Sequence, residues 1–248
     1  QYLHGYPSEV ASRVRHGAFL RDAELFEYGA FGISAAEAAA MDPQQRLLLE
    51  RGYEALHDAR LDRQALMGSV TGVFVGIAAN DFAQVLQAMP AGSSVYAATG
   101  SAHSIAAGRL SYELGLQGAC VAYDTSCSAA LVAGHAALRS AQQSECTTAL
   151  LASVNVMLAP GVGWSFALAG MTSLLGRSRT FDERADGYAR AEACGGASLR
   201  RGGAGEAAGP LPLALCGCSV RQDGRSASLT APNGQAQQAL LRASLSDA

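Results

Sequence analysis

Charge, metal-ligand spacings and long apolar runs are what this sequence has little of. Charged residues make up 16% of its 248 positions, 18 basic against 21 acidic, for a net charge of −3. So even a balance, spread along the chain, offers no basic face, and neither nucleic acid nor an anionic lipid surface is the expected partner. The longest apolar stretches are broken by Gly, Ser or a charge within about ten residues, short of the roughly 20 that a membrane-spanning helix needs. No membrane span is expected. The N-terminus lacks the charged, apolar and small-residue succession of a signal peptide, and Gln1 is not an initiator methionine, so the sequence reads as a piece of something longer. Six cysteines, at 120, 127, 146, 194, 216 and 218, form no CxxC pair and have no histidine at zinc-finger spacing. The expectation is no metal site, no disulfide scaffold, and free thiols in a reducing compartment.

What is there is a chain with 49% hydrophobic residues, enough for a large core. The aromatic residues Tyr2, Tyr6, Phe19, Phe26, Tyr28 and Phe31 lie scattered through an irregular opening that reads as a surface-wrapping segment. Asp42-Pro43 sets a helix start through about Ala59, with Leu48, Gly52, Ala55, Leu56 and Ala59 on one stripe and Gln45, Arg46, Glu50 and Asp58 facing elsewhere. Val70 to Ile77 predicts a buried strand with a close neighbour over Gly72 or Gly76. A helix over Ile105 to Leu114, stopped by Gly115, leads to a strand from Ala119 to Tyr123 and a helix from Cys127 to about Ala141. Thr148 to Met157 predicts a strand covered on both faces, and a short helix is expected around Trp164 to Ala169. Ala193 to Leu199 and Leu211 to Val220 read as strands, which would place Cys216 and Cys218 on one face as core filling. Asn233-Gly234 turns into a last helix through Leu245. The alternation gives a single α/β domain over residues 1–248, its sheet covered on both faces, with no second domain or linker.

Cys127 is the candidate for chemistry. A thiol at a helix N-terminus sits among unpaired N–H groups and the positive dipole end, which favour thiolate, although an inert buried cysteine satisfies the same pattern. His135 is the histidine nearest to it in sequence, but eight residues along one helix is roughly 12 Å of rise, too far for a thiol–imidazole hydrogen bond. His135 therefore reads as a packed, hydrogen-bonded histidine. His4, His16, His57 and His103 have no partner by spacing. Asp182 and Asp186 sit among Arg177, Arg179 and Arg184 and read as a surface charge network, not as an acid/base couple. Gly203-Ala204-Gly205 runs into Pro210 without a helix and is not a dinucleotide loop.

Asp124-Thr125-Ser126-Cys127-Ser128-Ala129-Ala130-Leu131 resembles the active-site motif of β-ketoacyl synthases, in particular the ketosynthase domains of modular polyketide synthases. The resemblance extends through Phe31-Gly32-Ile33-Ser34, Met41-Asp42-Pro43-Gln44-Gln45-Arg46, Ala107-Gly108-Arg109-Leu110-Ser111-Tyr112, Gly170-Met171, Thr180-Phe181-Asp182, Ala185-Asp186-Gly187-Tyr188, Gln222-Asp223-Gly224-Arg225 and Leu229-Thr230-Ala231-Pro232-Asn233-Gly234. It implies a thiolase-like layered α/β/α/β/α fold, here incomplete: most of an N-terminal half, without the first strand and the C-terminal half. It also implies that Cys127 is the nucleophile that accepts an acyl chain from acyl carrier protein, its backbone N–H serving as one oxyanion donor. Decarboxylative Claisen condensation with a malonyl-type extender would follow, in polyketide or fatty-acid synthesis.

No cofactor would be bound directly; the phosphopantetheine of the carrier protein enters as the arm carrying acyl and malonyl thioesters. A homodimer in contact along residues 119–124 is implied, in the cytoplasm, or in an organelle if a lost N-terminal segment carried a transit peptide. The family's two histidine motifs would lie beyond Ala248, so the chain alone is expected to be inactive. A ketosynthase-like scaffold that has lost catalysis is the alternative. Departures from the family pattern include Arg60 for a helix-ending glycine, Ala119 for proline, Thr172, Leu174 and Leu175 in the loop after Gly-Met, and Ala191 and Ala193 flanking Glu192, itself expected to be structural.

Overall fold

A computed structural model of the chain describes residues 8–202 and 213–248. Tyr2, His4, Tyr6, the Gly203-Ala204-Gly205 triplet and the start of the strand predicted from Leu211 lie outside them. Helices α1 (Ser8–Arg13), α2 (Ala35–Ala40), α3 (Pro43–Asp58), α4 (Arg63–Leu66), α5 (Phe82–Gln87), α6 (Ala97–Gly100), α7 (His103–Leu114), α8 (Ala129–Gln142), α9 (Pro160–Leu168) and α10 (Gly234–Asp247) surround the strands. Those strands are β1 (Gly17–Ala18), β2 (Thr71–Ile77), β3 (Cys120–Tyr123), β4 (Thr148–Asn155), β5 (Arg190–Ala191) and β6 (Ala193–Leu199). Among the described residues the main sheet has the order β3-β2-β4-β6, with β3, β2 and β4 parallel and β6 antiparallel to β4. Short β1 pairs with β5 in parallel.

The period of two along β2 divides the core. Val73, Val75 and Ile77 face α3 and α7 together with Leu48, Leu56, Leu110 and Leu150, while Phe74 faces α8 with Ala133, Ala137 and Ala141. Burying each of those leucines contributes about 2 kcal/mol. On the α8 side the chain uses alanine and glycine so that helix and sheet approach closely. The predicted neighbour over Gly76 is the backbone of α8: a Cβ built there would lie 2.6 Å from the Ala130 nitrogen and 2.7 Å from the Ala129 carbonyl carbon. On the other face Gly52 of α3 lies against side chains only, where a Cβ would lie 2.8 Å from Leu110 Cδ2.

Asp42 caps α3 as expected, accepting the Gln44 N–H at 2.8 Å. Gln45, expected to face away from the packed stripe of α3, is nevertheless enclosed. Gln45 is buried, its amide donating to the Thr99 carbonyl at 3.0 Å and accepting from Arg109 Nε at 3.1 Å. Arg109 is itself buried and pairs with Glu37, so a buried polar network joins α3, α7 and α2. Arg60 ends α3 with φ +62°, the left-handed conformation that favours glycine. The opening segment is pinned as expected where Phe26 stacks on Phe31 and Phe31 meets Tyr53 edge-on, whereas Phe19 stays largely exposed.

A correction concerns residues 213–220, which form no strand. Their polar groups bond to side chains instead: the Cys218 N–H donates to Asp247 Oδ2, and the Cys218 carbonyl accepts from Arg139 and approaches His135 Nδ1 at 3.1 Å. Cys216 is exposed and Cys218 half-buried, so neither fills a core. The helix predicted around Trp164 is longer than expected and starts at Pro160.

Candidate active site

Parallel α/β sheets place their sites at the carboxyl ends of the strands. β3 ends at Tyr123, register-paired with Gly76, and the chain then turns through Asp124 and Thr125 into a single 3₁₀ turn, Ser126–Ser128, that runs into α8. Cys127 is the middle residue of that turn, two positions ahead of the first α-helical residue, and it is exposed. The turn is held from both sides. Asp124 Oδ1 accepts the Ser126 N–H at 3.1 Å, and Ser128 Oγ bonds to the Thr125 carbonyl and hydroxyl, each at 2.9 Å. Ser126 takes φ +56°, which turns the chain sharply enough to present the next side chain outward.

Beneath the turn Gly76 receives the start of α8, and the Gly76 carbonyl accepts from Ser153 Oγ of β4 at 2.9 Å. Two strands thus fix the thiol's platform. The helix behind it is 14 residues long and begins at Ala129, two residues later than the predicted start at Cys127.

Tyr188 lies within electrostatic range of the thiol. Burial is the main cause of a raised phenol pKa there; Arg190 lowers it, and the charge of a Cys127 thiolate raises it further. Tyr188 is fixed by backbone bonds to Met171 and Ser173 and by its ring against Phe166, with centroids 6.5 Å apart. The sequence reading gives Tyr188 no role, because nothing in its spacing links it to position 127.

The remaining candidates separate as expected. His135 does not face Cys127; it approaches the Cys218 carbonyl. His103 Nε2 lies 3.2 Å from the Ala79 carbonyl, and His57 packs beside Tyr53. Asp182 is tied to Arg184 at 2.9 and 2.7 Å, which holds its carboxyl down at about 2. Asp186 accepts from Ser173 Oγ at 2.7 Å and from the Leu174 N–H at 3.0 Å, also below the usual carboxylate range, so both acids brace the loop. Glu192 is structural: its two oxygens accept the Leu20 and Met157 N–H groups, each at 2.9 Å. Burial pushes the Cys194 thiol up to about 12, which leaves it an inert neighbour of the core. Among the described residues no group of three His, Cys, Asp or Glu side chains is placed to hold a metal ion, and no helix is long and apolar enough to cross a membrane.

The sequence profile of the "Beta-ketoacyl synthase, N-terminal domain" matches residues 1–203. The chain belongs to the β-ketoacyl synthase family. Its fold agrees with a ketosynthase from module 6 of the bacillaene synthase of Bacillus subtilis 168, at a TM-score of 0.83 and 30% identity over 96% of this chain and 40% of that one. The thiolase-like α/β architecture implied by the resemblance is therefore the fold of this family member.

It is 46% identical to Polyketide synthase GfsB of Streptomyces halstedii over 95% of its length, and 43% identical to Erythronolide synthase EryA3 of Saccharopolyspora erythraea, again over 95%. The chain spans only 4% and 7% of these two relatives.

Proposed function

We propose that this family member is the acyl-accepting part of a polyketide ketosynthase. The observation that carries the reading is an exposed thiol in a braced turn at the carboxyl end of β3, seated on Gly76 ahead of α8. As thiolate, Cys127 Sγ attacks the carbonyl carbon of an acyl thioester on the phosphopantetheine arm of acyl carrier protein. The tetrahedral oxyanion takes a hydrogen bond from the Cys127 backbone N–H, and collapse expels the carrier thiolate. In the second half a malonyl-type thioester loses carbon dioxide and its carbanion attacks the Cys127 acyl group, releasing the cysteine thiolate. His135 is turned toward the Cys218 carbonyl, and we assign the imidazoles of this second half to the rest of the assembled enzyme. β3 is an edge strand whose Cys120 and Val121 are exposed, which supports pairing with a second copy along that edge.

The test is acylation by a soluble butanoyl thioester of N-acetylcysteamine, read by intact and peptide mass spectrometry. One butanoyl group is expected on Cys127 and none in Cys127→Ala. A folded chain whose Cys127 alkylates with iodoacetamide yet never takes the acyl group would overturn the reading and favour the non-catalytic scaffold.

A further inference from the structure

Between the segment carrying β1 and the first turn of α9 lies a cleft of about 360 Å³, within the usual range for small-molecule sites. Its lining includes no residue of the Cys127 turn and no Asp or Glu. Met157, Leu158 and Trp164 form an apolar wall together with Phe19, while Arg13 and Arg190 supply positive charge.

The two arginines are in different states. Arg13 is spent on the fold: Nη1 donates to the Thr172 and Asp186 carbonyls, and Nη2 pairs with Glu9 at 3.2 Å. Arg190 is half-buried with its guanidinium 5.4 Å from the Phe166 ring centroid, and among the described residues no carboxylate pairs with it. A half-buried guanidinium is costly without an anion. Thr172 also lines the cleft, 4% exposed, and its hydroxyl has no hydrogen-bond partner among the described residues.

The apolar wall is preformed. The Met157 N–H is held by Glu192, and the Leu158 and Ala159 N–H groups by Asp81 Oδ2, each of the latter at 3.1 Å. The two nearby carboxylates, Glu192 and Asp81, are thus engaged with backbone, and neither is paired with Arg190.

We propose that this cleft binds a small amphipathic carboxylate, its anionic head on Arg190 and its aliphatic tail along Met157, Leu158 and Trp164. All 18 basic residues of the chain are arginines, whose planar fork suits two-point recognition of a carboxylate. The assignment is independent of the acyl-transfer reading of Cys127.

Trp164 is the chain's single tryptophan, so its fluorescence reports the cleft. The full chain is titrated with octanoate, octan-1-ol and octylammonium, following Trp164 emission alongside equilibrium dialysis of radiolabelled ligand. Saturable octanoate binding is expected, with octan-1-ol about tenfold weaker or worse and no saturation by octylammonium. Arg190→Gln should weaken octanoate about tenfold or more, Arg190→Lys should retain most of the affinity, and Thr172→Val should lose a smaller part. Alkylating Cys127 with iodoacetamide should leave binding unchanged. Absence of saturable octanoate binding by dialysis, octan-1-ol binding as tightly as octanoate, or loss of binding on Cys127 alkylation would each overturn the proposal. Unaltered affinity in a folded Arg190→Gln chain would do so as well. If circular dichroism shows Arg190→Gln unfolded, the three-ligand comparison on the unsubstituted chain decides.

Discussion

The sheet half and the C-terminal segment, residues 213–248, are both rich in leucine and alanine, yet they are held by different forces. In the sheet half Leu48, Leu56, Leu110 and Leu150 are fully buried and β2 is buried along its whole length. In the C-terminal segment α10 has no buried residue, and Leu213, Leu229, Leu241 and Leu245 are exposed. What fastens α10 is polar: Asp247 accepts from Arg139 at 2.6 Å and from the Cys218 N–H at 2.9 Å, and Asn233 caps its first turn. An apolar run becomes core only where a neighbouring strand or helix is there to cover it, so equal composition gives unequal burial.

The most severe way to break the contrast is Gly76→Val. The side chain would enter the backbone at the start of α8, which cannot rotate away, so a loss of at least about 3 kcal/mol in urea denaturation is expected. A stability within about 0.5 kcal/mol of the parent would show that α8 and the Cys127 turn are not seated on β2 as described.

A more local effect separates the two regions by pH. The hydrogen bond from Arg139, with that from the Cys218 N–H, holds the Asp247 carboxyl below its ordinary 3.8. Its contribution is therefore present above pH 3.8 and fades as pH falls through the folded-state value. Hydrogen-exchange protection of α10 should drop below that pH while β2 and β4 keep theirs, and Asp247→Asn should produce the drop at neutral pH. Protection of α10 that ignores both changes would place its anchoring elsewhere.

The smallest effect sharpens the comparison from the exposed side. Leu241→Ala should change stability by about 0.5 kcal/mol or less, whereas Leu48→Ala, on the fully buried stripe, should cost about 3 kcal/mol. Similar losses from the two would mean that α10 is covered in solution.

Much of the fold is legible in the sequence because strong local signals agree with the tertiary result. Asp42-Pro43 starts α3, Gly115 ends α7 in the left-handed conformation, and the uninterrupted apolar runs become β2 and β4. Gln45 escapes a reading by period because its buried amide is satisfied by Thr99 and Arg109, far away in sequence. Residues 213–220 mislead because their strand-like pattern lacks a neighbouring strand among the described residues. Thr172 is visible as a departure from the family pattern, but its role as an unpaired hydroxyl in a cleft is not.

By itself the sequence determined the nucleophile candidate and the family, since a thiol between a short strand and a helix, within a series of ordered motifs, is a local property of the chain. Only the tertiary structure decided that Gly76 seats the Cys127 turn, that Tyr188 comes within electrostatic range of the thiol, and that Arg190 stands without a carboxylate beside an apolar wall. Those relations join residues dozens of positions apart, and only packing brings such residues within reach of one another.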